Sequence, residues 1–189
     1  MGYTHYSYRV KKDFDYATWD AFIADCKLAV KHFPKTIENG YTGNGKQYPL
    51  VLNGCFKYKT AKFTKEMVHF NGGENCGRSK QGDDGDGWSD TETNDLGHET
   101  FHLSRKYQKS YYEGNDDTWQ FSCCKTAYKP YDFAVMVVML LYKSYFKADV
   151  KISSDGEWEQ EWKPAREFIA QHFPTIAFEL ELDGCAFSG

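Results

Sequence analysis

The feature that most constrains the fold is a run of ten apolar and aromatic residues, from Phe133 to Tyr142. A helix that is apolar on every side must be covered on every side. The run is also much shorter than the ~20 residues that a membrane-spanning helix needs. We therefore predict a central, buried helix that begins at Asp132 or just before it and ends at about Lys147.

Two further segments have the pattern of amphipathic helices. From Tyr16 to His32 the apolar side chains recur every three or four residues, and a following proline stops the pattern. Asp13 or Asp15 can cap the start of this helix. From Trp162 to Phe173 the pattern returns, with a proline that a helix accepts only in its first turn.

The remaining periodic segments alternate as strands do and cluster as hairpins, which favours antiparallel pairing. We predict one α+β domain over residues 1–189, in which a mainly antiparallel sheet packs with two or three helices. Residues 71–97 are rich in Gly and Asp and form a long loop. The predicted strands are Tyr3 to Val10, Pro49 to Tyr58 with a hairpin turn at Asn53-Gly54, Met67 to Phe70, His98 to Tyr107, Trp119 to Lys125, Asp149 to Ser153, and Ile176 to Leu182.

Composition bears on compartment and partners. The N-terminus lacks the apolar segment of a signal peptide, so we expect a cytoplasmic protein without a membrane partner. The six cysteines lack the spacing of a small disulfide scaffold, and we expect free thiols. A formal net charge of -4 argues against binding of double-stranded nucleic acid, which needs a strongly basic surface.

Four stretches carry a family resemblance: Met1-Gly-Tyr-Thr-His-Tyr6, His98-Glu-Thr-Phe101, Cys124-Lys-Thr-Ala-Tyr-Lys-Pro-Tyr-Asp132 and Ser153-Ser-Asp-Gly156. Together they resemble a family of uncharacterised proteins of bacteriophages, bacteria and environmental sequences. The resemblance covers most of the chain outside residues 71–97. It implies a phage or bacterial source, and the host cytoplasm as the location if the protein is phage-encoded. It implies no activity, but it makes these four motifs the first places to look for function.

The sequence His98-Glu99-Thr-Phe-His102 matches the HExxH pattern of zinc hydrolases, in which a helix places two histidines on one zinc ion beside a glutamate base. Here the residues alternate as a strand does, and a strand would hold the two imidazoles ~13 Å apart at ~3.3 Å per residue. That distance is too long for one zinc ion. We therefore rank zinc hydrolysis last and predict no metal, while His98 and Glu99 stay candidates for a base or an acceptor.

Cys124 and Lys125 lie at the end of a predicted strand, and Lys129 and Asp132 lie at the start of the central helix. Cationic side chains and the N–H groups of a helix N-terminus favour anions. The same surroundings would lower the pKa of Cys124 and make it a candidate nucleophile. The alternative is that the cysteines pack in the core and that Asp132 or a neighbour caps the helix.

Ser154 and Asp155 follow a predicted strand and lead towards the third helix. Their hydroxyl and carboxylate groups, with the backbone of Gly156, suit a phosphate, a sugar or a metal. The alternative is an ordinary turn, because Ser, Asp and Gly are common in turns for conformational reasons.

These motifs favour a site that binds or processes a small anionic, nucleotide-like ligand, without a cofactor. The catalytic candidates are His98, Glu99, Cys124 and Asp155, and the ligand-binding candidates are Lys125, Lys129, Asp132 and Ser154. The alternative is a phage-encoded interaction protein, virion component or inhibitor of a host factor, whose partner is a protein. Convergence of the motif side chains on one open pocket favours the first hypothesis, and scatter or burial favours the second.

Overall fold

The computed structural model describes residues 3–38, 45–54, 60–73, 96–109 and 118–177. Within these ranges the helices are α1 (Tyr16–His32), α2 (Asp132–Phe146) and α3 (Lys163–His172), with a 3-10 turn at Lys147–Asp149. Their buried side chains share one core with those of the strands, which confirms the predicted α+β class. The strands are β1 (Thr4–Val10), β2 (Thr36–Glu38), β3 (Gln47–Pro49), β4 (Lys62–Phe63), β5 (Met67–Phe70), β6 (Phe101–Ser104), β7 (Trp119–Lys125) and β8 (Val150–Ser154).

Helix α2 is the centre of the molecule, as its apolar run predicts. Every residue of α2 except Lys143 and Tyr145 is buried. It packs against α1, α3 and β8, so each side of the helix is covered. The hydroxyl of the half-buried Tyr145 donates to Asp25 of α1 at 2.6 Å.

Helices α1 and α3 begin where their sequence signals indicate. The Asp15 carboxylate accepts a hydrogen bond from Thr18 N at 2.8 Å and caps α1, while Trp19, Phe22 and Cys26 are buried on one stripe. Pro164 lies in the first turn of α3, where its missing N–H has no helical partner to lose.

Strand β1 is the middle of a three-stranded antiparallel sheet with the order β7-β1-β8. Its register places His5 opposite both Cys124 and Ser154, and Thr4 opposite Lys125. Directly opposed residues share a face, so His5, Cys124 and Ser154 lie on the same side of the sheet. The first residues of β1 and the last residues of β7 and β8 therefore form one end of this sheet.

A second antiparallel sheet has the order β4-β5-β6, and β2 pairs with β3. Arg9 of β1 joins the first sheet to the second, because its guanidinium donates to the carbonyl oxygens of Ser104 and Arg105. The same guanidinium carbon lies 4.1 Å from the centroid of the Phe14 ring. These contacts satisfy a cation that is almost fully buried.

Some predictions about strands were wrong. The strands form three small sheets instead of one, and the strand predicted from His98 begins only at Phe101. Asn53 bridges both Thr60 and Asn71, so it is not the centre of a two-residue turn. Ile176 and Ala177 lie in a helical turn, not a strand. Residues 55–59, 74–95 and 178–182, which belong to the predicted hairpin, loop and last strand, lie outside the described residues.

Candidate functional site

The four motifs meet at one end of the β7-β1-β8 sheet, beside the first residue of α2. The Thr4 N–H donates to Asp155 Oδ2 at 2.9 Å, which joins the first motif to the last. Lys125 N donates to Glu99 Oε2 at 2.6 Å, which joins the second motif to the third. His5 of the first motif and Asp132 of the third join these two pairs, so four segments that are distant in sequence share one hydrogen-bonded cluster, which we call the motif cluster.

The centre of the motif cluster is a buried histidine–carboxylate pair. His5 Nε2 donates to Asp132 Oδ1 at 2.6 Å, and the Thr126 hydroxyl donates to the same oxygen. The side chains of His5 and Asp132 are 0% and 11% exposed. The His5 ring meets the edges of Tyr3 and Trp162, with centroid distances of 4.9 and 5.2 Å. Aromatic rings therefore exclude water from the pair.

The other imidazole nitrogen of this pair has no partner among the described residues. His5 Nδ1 is buried and makes no hydrogen bond there. A buried polar atom without a partner costs about 1–3 kcal/mol. Such a cost is often associated with a functional group.

Asp132 has a different role from either of those predicted for it. It is the first residue of α2, but its carboxylate does not cap the helix and instead accepts from His5 and Thr126. The helix dipole favours negative charge at this position. The anion at the N-terminus of α2 is therefore the carboxylate of Asp132, and this buried group is not placed to contact a ligand at the surface.

Asp155 and Ser154 organise the turn after β8. Asp155 accepts from Thr4 N and, at 2.8 Å, from the Tyr6 hydroxyl, whereas Ser154 Oγ accepts from Gly156 N at 3.0 Å. Gly156 packs against the Tyr3 ring so closely that a Cβ there would lie 2.7 Å from Tyr3 Cε2. The turn thus holds the start of β1. This agrees with the alternative that Ser154 and Asp155 form an ordinary turn.

The segment that contains His98 and Glu99 is bound to the end of β7. His98 Nδ1 lies 2.8 Å from the carbonyl oxygen of Lys125, and Glu99 N donates to the same carbonyl at 3.1 Å. Because a carbonyl oxygen only accepts, Nδ1 of His98 carries a proton. Its Nε2 is then the basic nitrogen when the ring is neutral.

Burial lowers the pKa of the half-buried His98 below its ordinary value, and the positive charges of Lys125 and Lys129 act in the same direction. The carbonyl of Lys125 and the charge of Glu99 oppose this shift without cancelling it. His98 is thus a neutral base at pH 7, within electrostatic range of two lysines. The neutral imidazole of His98 and the charged Lys125 and Lys129 are thus neighbours at the edge of the motif cluster.

The HExxH pattern does not have the structure that its zinc chemistry needs. His102 lies in β6 opposite His69, and their Nδ1 atoms are 3.4 Å apart. His98 precedes that strand and is bound to Lys125, so no helix brings the two motif histidines together. Among the described residues no three His, Cys, Asp or Glu side chains form a group that suits a metal ion.

Cys124 differs from the predicted nucleophile. Its thiol is buried and its Sγ lies 3.6 Å from the Glu99 carbonyl oxygen. Burial raises the pKa of Cys124 well above its ordinary value, and the negative charges of Glu99 and Asp132 add to the effect. The lysines do not reverse this shift, so the thiol is not activated as expected.

The residues of the motif cluster that were missed as candidates include Tyr3, His5 and Thr126. Each lies inside a motif already identified, but hydrophobic alternation favours Tyr6 and Tyr8 of β1 as the buried face. The structure buries Tyr3, His5 and Arg9 instead. The available signal was His5 itself, a titratable residue on the face of the strand that does not carry Tyr6 and Tyr8.

Within the described ranges, no helix is both long enough and apolar enough to span a membrane. Comparison of the chain with protein-family models, curated proteins and solved structures finds no match.

Proposed function

We propose that the motif cluster binds a small phosphate-bearing molecule of the nucleotide type and that His98 acts on it as a general base. The observation that carries the proposal is the convergence of four separate motifs at one end of the β7-β1-β8 sheet, joined by the hydrogen bonds of Asp155 and Glu99 and by the His5–Asp132 pair. A concentration of histidine, lysine and carboxylate groups at a single point is common at ligand sites.

The charges of the rim favour an anion. Lys125 and Lys129 lie near His98, whereas the nearby carboxylates of Glu99 and Asp155 already accept hydrogen bonds from backbone N–H groups. Two ammonium groups beside an imidazole suit the charge and the oxygen atoms of a phosphate. The buried pair of His5 and Asp132 holds the strand and helix on which these groups depend.

The chemistry available to His98 is proton abstraction. Its Nδ1–H is held by the Lys125 carbonyl, which orients the ring and leaves Nε2 as the base. Its lowered pKa keeps it unprotonated at neutral pH. Such a base can take a proton from a water molecule or from a hydroxyl group of the ligand.

A thermal-shift panel of nucleotides and sugar phosphates tests the binding step. At least one member should raise the melting temperature of the wild-type protein, because binding to the folded state alone stabilises it. Lys125→Ala and Lys129→Ala should remove that rise, while the matched control Lys163→Ala, on α3, should keep it. His98→Gln should keep the rise but slow any turnover of the ligand by ~10²–10⁴-fold, as measured by phosphorus NMR.

The alternative is a phage-borne protein that acts by contacting another protein. The observation that favours it is the burial of His5, Cys124 and Asp132, which removes three polar members of the motif cluster from solvent. Under this hypothesis the motif cluster only supports the fold. A panel without any stabilising member, or loss of the folded state in Lys125→Ala and Lys129→Ala, would favour the alternative.

A further inference from the structure

One face of the β7-β1-β8 sheet carries the His5 side chain. The other face carries a row of aromatic rings. The Phe121 ring contacts those of Tyr6 and Tyr8, with centroid distances of 6.1 and 5.2 Å. Phe121 is 53% exposed, more than half of a large apolar side chain. Farther along this face, the ammonium nitrogen of Lys151 lies 4.2 Å from the centroid of the Trp119 ring. We call these five side chains the aromatic face.

The strands under the aromatic face are unusual in charge. The chain has 27 Asp and Glu among 189 residues, yet β1, β7 and β8 contain none. Lys151 lies opposite Tyr8, and Lys125 lies opposite Thr4 at the other end of the same face. Asp155 follows β8, but its carboxylate accepts from Thr4 N and Tyr6. The face therefore combines one exposed ring and three partly exposed rings with two lysines, in a chain whose overall charge is negative.

Rings and lysines in this arrangement match one class of polymer. Bases stack on aromatic side chains of an open sheet while phosphates contact the cations beside them. A duplex keeps its bases paired and stacked, so it cannot use the rings. We infer that the aromatic face binds single-stranded nucleic acid, which is a different ligand from that proposed for the motif cluster and depends chiefly on Phe121, Trp119 and Lys151, none of which belongs to that cluster.

Fluorescence anisotropy with labelled oligothymidylate and oligouridylate of about 12 nucleotides, a typical length for one such site, tests this inference. Phe121→Ala should weaken binding at least about fivefold, the lower range for loss of one stacked base. Leu28→Ala is the matched control, since Leu28 on α1 is an exposed apolar residue away from this sheet. Both side chains are exposed, so circular dichroism and melting temperature should match the wild type.

The salt dependence isolates the contribution of the cation. Lys151→Gln should reduce the slope of log affinity against log salt concentration by about 0.7, the value for one phosphate contact on a single strand. Lys163→Gln on α3 should leave the slope unchanged. The inference fails if neither oligonucleotide binds, if a duplex of the same length binds as tightly, or if Phe121→Ala and Leu28→Ala have equal effects. Since Lys125 and Lys129 stay intact in these variants, this failure is distinct from failure of the proposed function.

Discussion

His5 Nε2 lies 2.6 Å from Asp132 Oδ1 and so connects the first strand to the first residue of the central helix. The Thr126 hydroxyl donates to the same carboxylate oxygen, and the Tyr3 and Trp162 rings cover the imidazole. One buried carboxylate thus joins β1, the end of β7 and α2. The geometry of the motif cluster depends on it.

Removal of this carboxylate should destabilise the protein strongly. Asp132→Ala leaves the buried His5 and Thr126 without their acceptor, and we expect the free energy of unfolding to fall by about 3–5 kcal/mol. Urea denaturation measures it. Asp149→Ala is the control, because Asp149 pairs with Lys12 at the surface and its loss should cost about 1 kcal/mol or less. Equal losses in the two variants would show that the buried pair contributes no more than a surface pair.

The close contact between Gly156 and Tyr3 predicts a coupling between them. A Cβ at Gly156 would overlap the Tyr3 ring and hydroxyl, so Gly156→Ala should cost about 1–3 kcal/mol of stability. Tyr3→Phe removes the hydroxyl that is nearest to this Cβ, and the double variant should be more stable than the sum of the single changes indicates. Simple additivity in a double-mutant cycle would contradict the contact.

The cysteines should differ in reactivity. Cys123 is exposed on the sheet, whereas Cys26 and Cys124 are buried and burial raises the pKa of both thiols well above the ordinary value. Of these three thiols, iodoacetamide added to the native protein should label Cys123 first, and label Cys26 and Cys124 only after denaturation, as peptide mass spectrometry will show. Early labelling of Cys124 would restore it as a candidate nucleophile.

The lowered pKa of His98 predicts a loss of stability in acid. Burial lowers this pKa in the folded state, so the unfolded chain binds the proton more readily. The contribution is therefore complete above the ordinary pKa of about 6.5 and is lost as the pH falls through the lowered value. Between pH 7.5 and pH 5, His98→Gln should lose less unfolding free energy than the wild type, as measured by urea denaturation. An equal or larger loss in His98→Gln would be inconsistent with the lowered pKa.

Long elements with strong periodicity were predictable from the sequence. Helix α1 and strand β7 have the predicted bounds, because their apolar patterns, the Asp15 cap and the proline after α1 all agree. Strands β2 and β4 have three and two residues and are too short to show a period. Ile176 and Ala177 begin the segment predicted as the last strand, but they lie in a helical turn in which Ala177 N donates to the Phe173 carbonyl oxygen.

The sequence indicated where the candidate site lies better than it indicated what each of its residues does. The motifs drew attention to Asp132 and Asp155, and both belong to the motif cluster. The sequence does not reveal that Asp132 accepts from His5, a partner 127 residues away. It also does not reveal that burial opposes the effect of Lys125 on the thiol of Cys124, because burial depends on the whole fold.

The side-chain nitrogen NMR signals of His98 test the proposed ligand site most directly, since this ring lies at the rim beside Lys125 and Lys129. Titration with nucleoside phosphates and sugar phosphates should include at least one compound that shifts these signals in a saturable way. Lys129→Ala should abolish that shift, and the signals of His172 on α3 should not move in either protein. If no compound moves the His98 signals, or if Lys129→Ala leaves the shift unchanged, the motif cluster is not a binding site for such ligands.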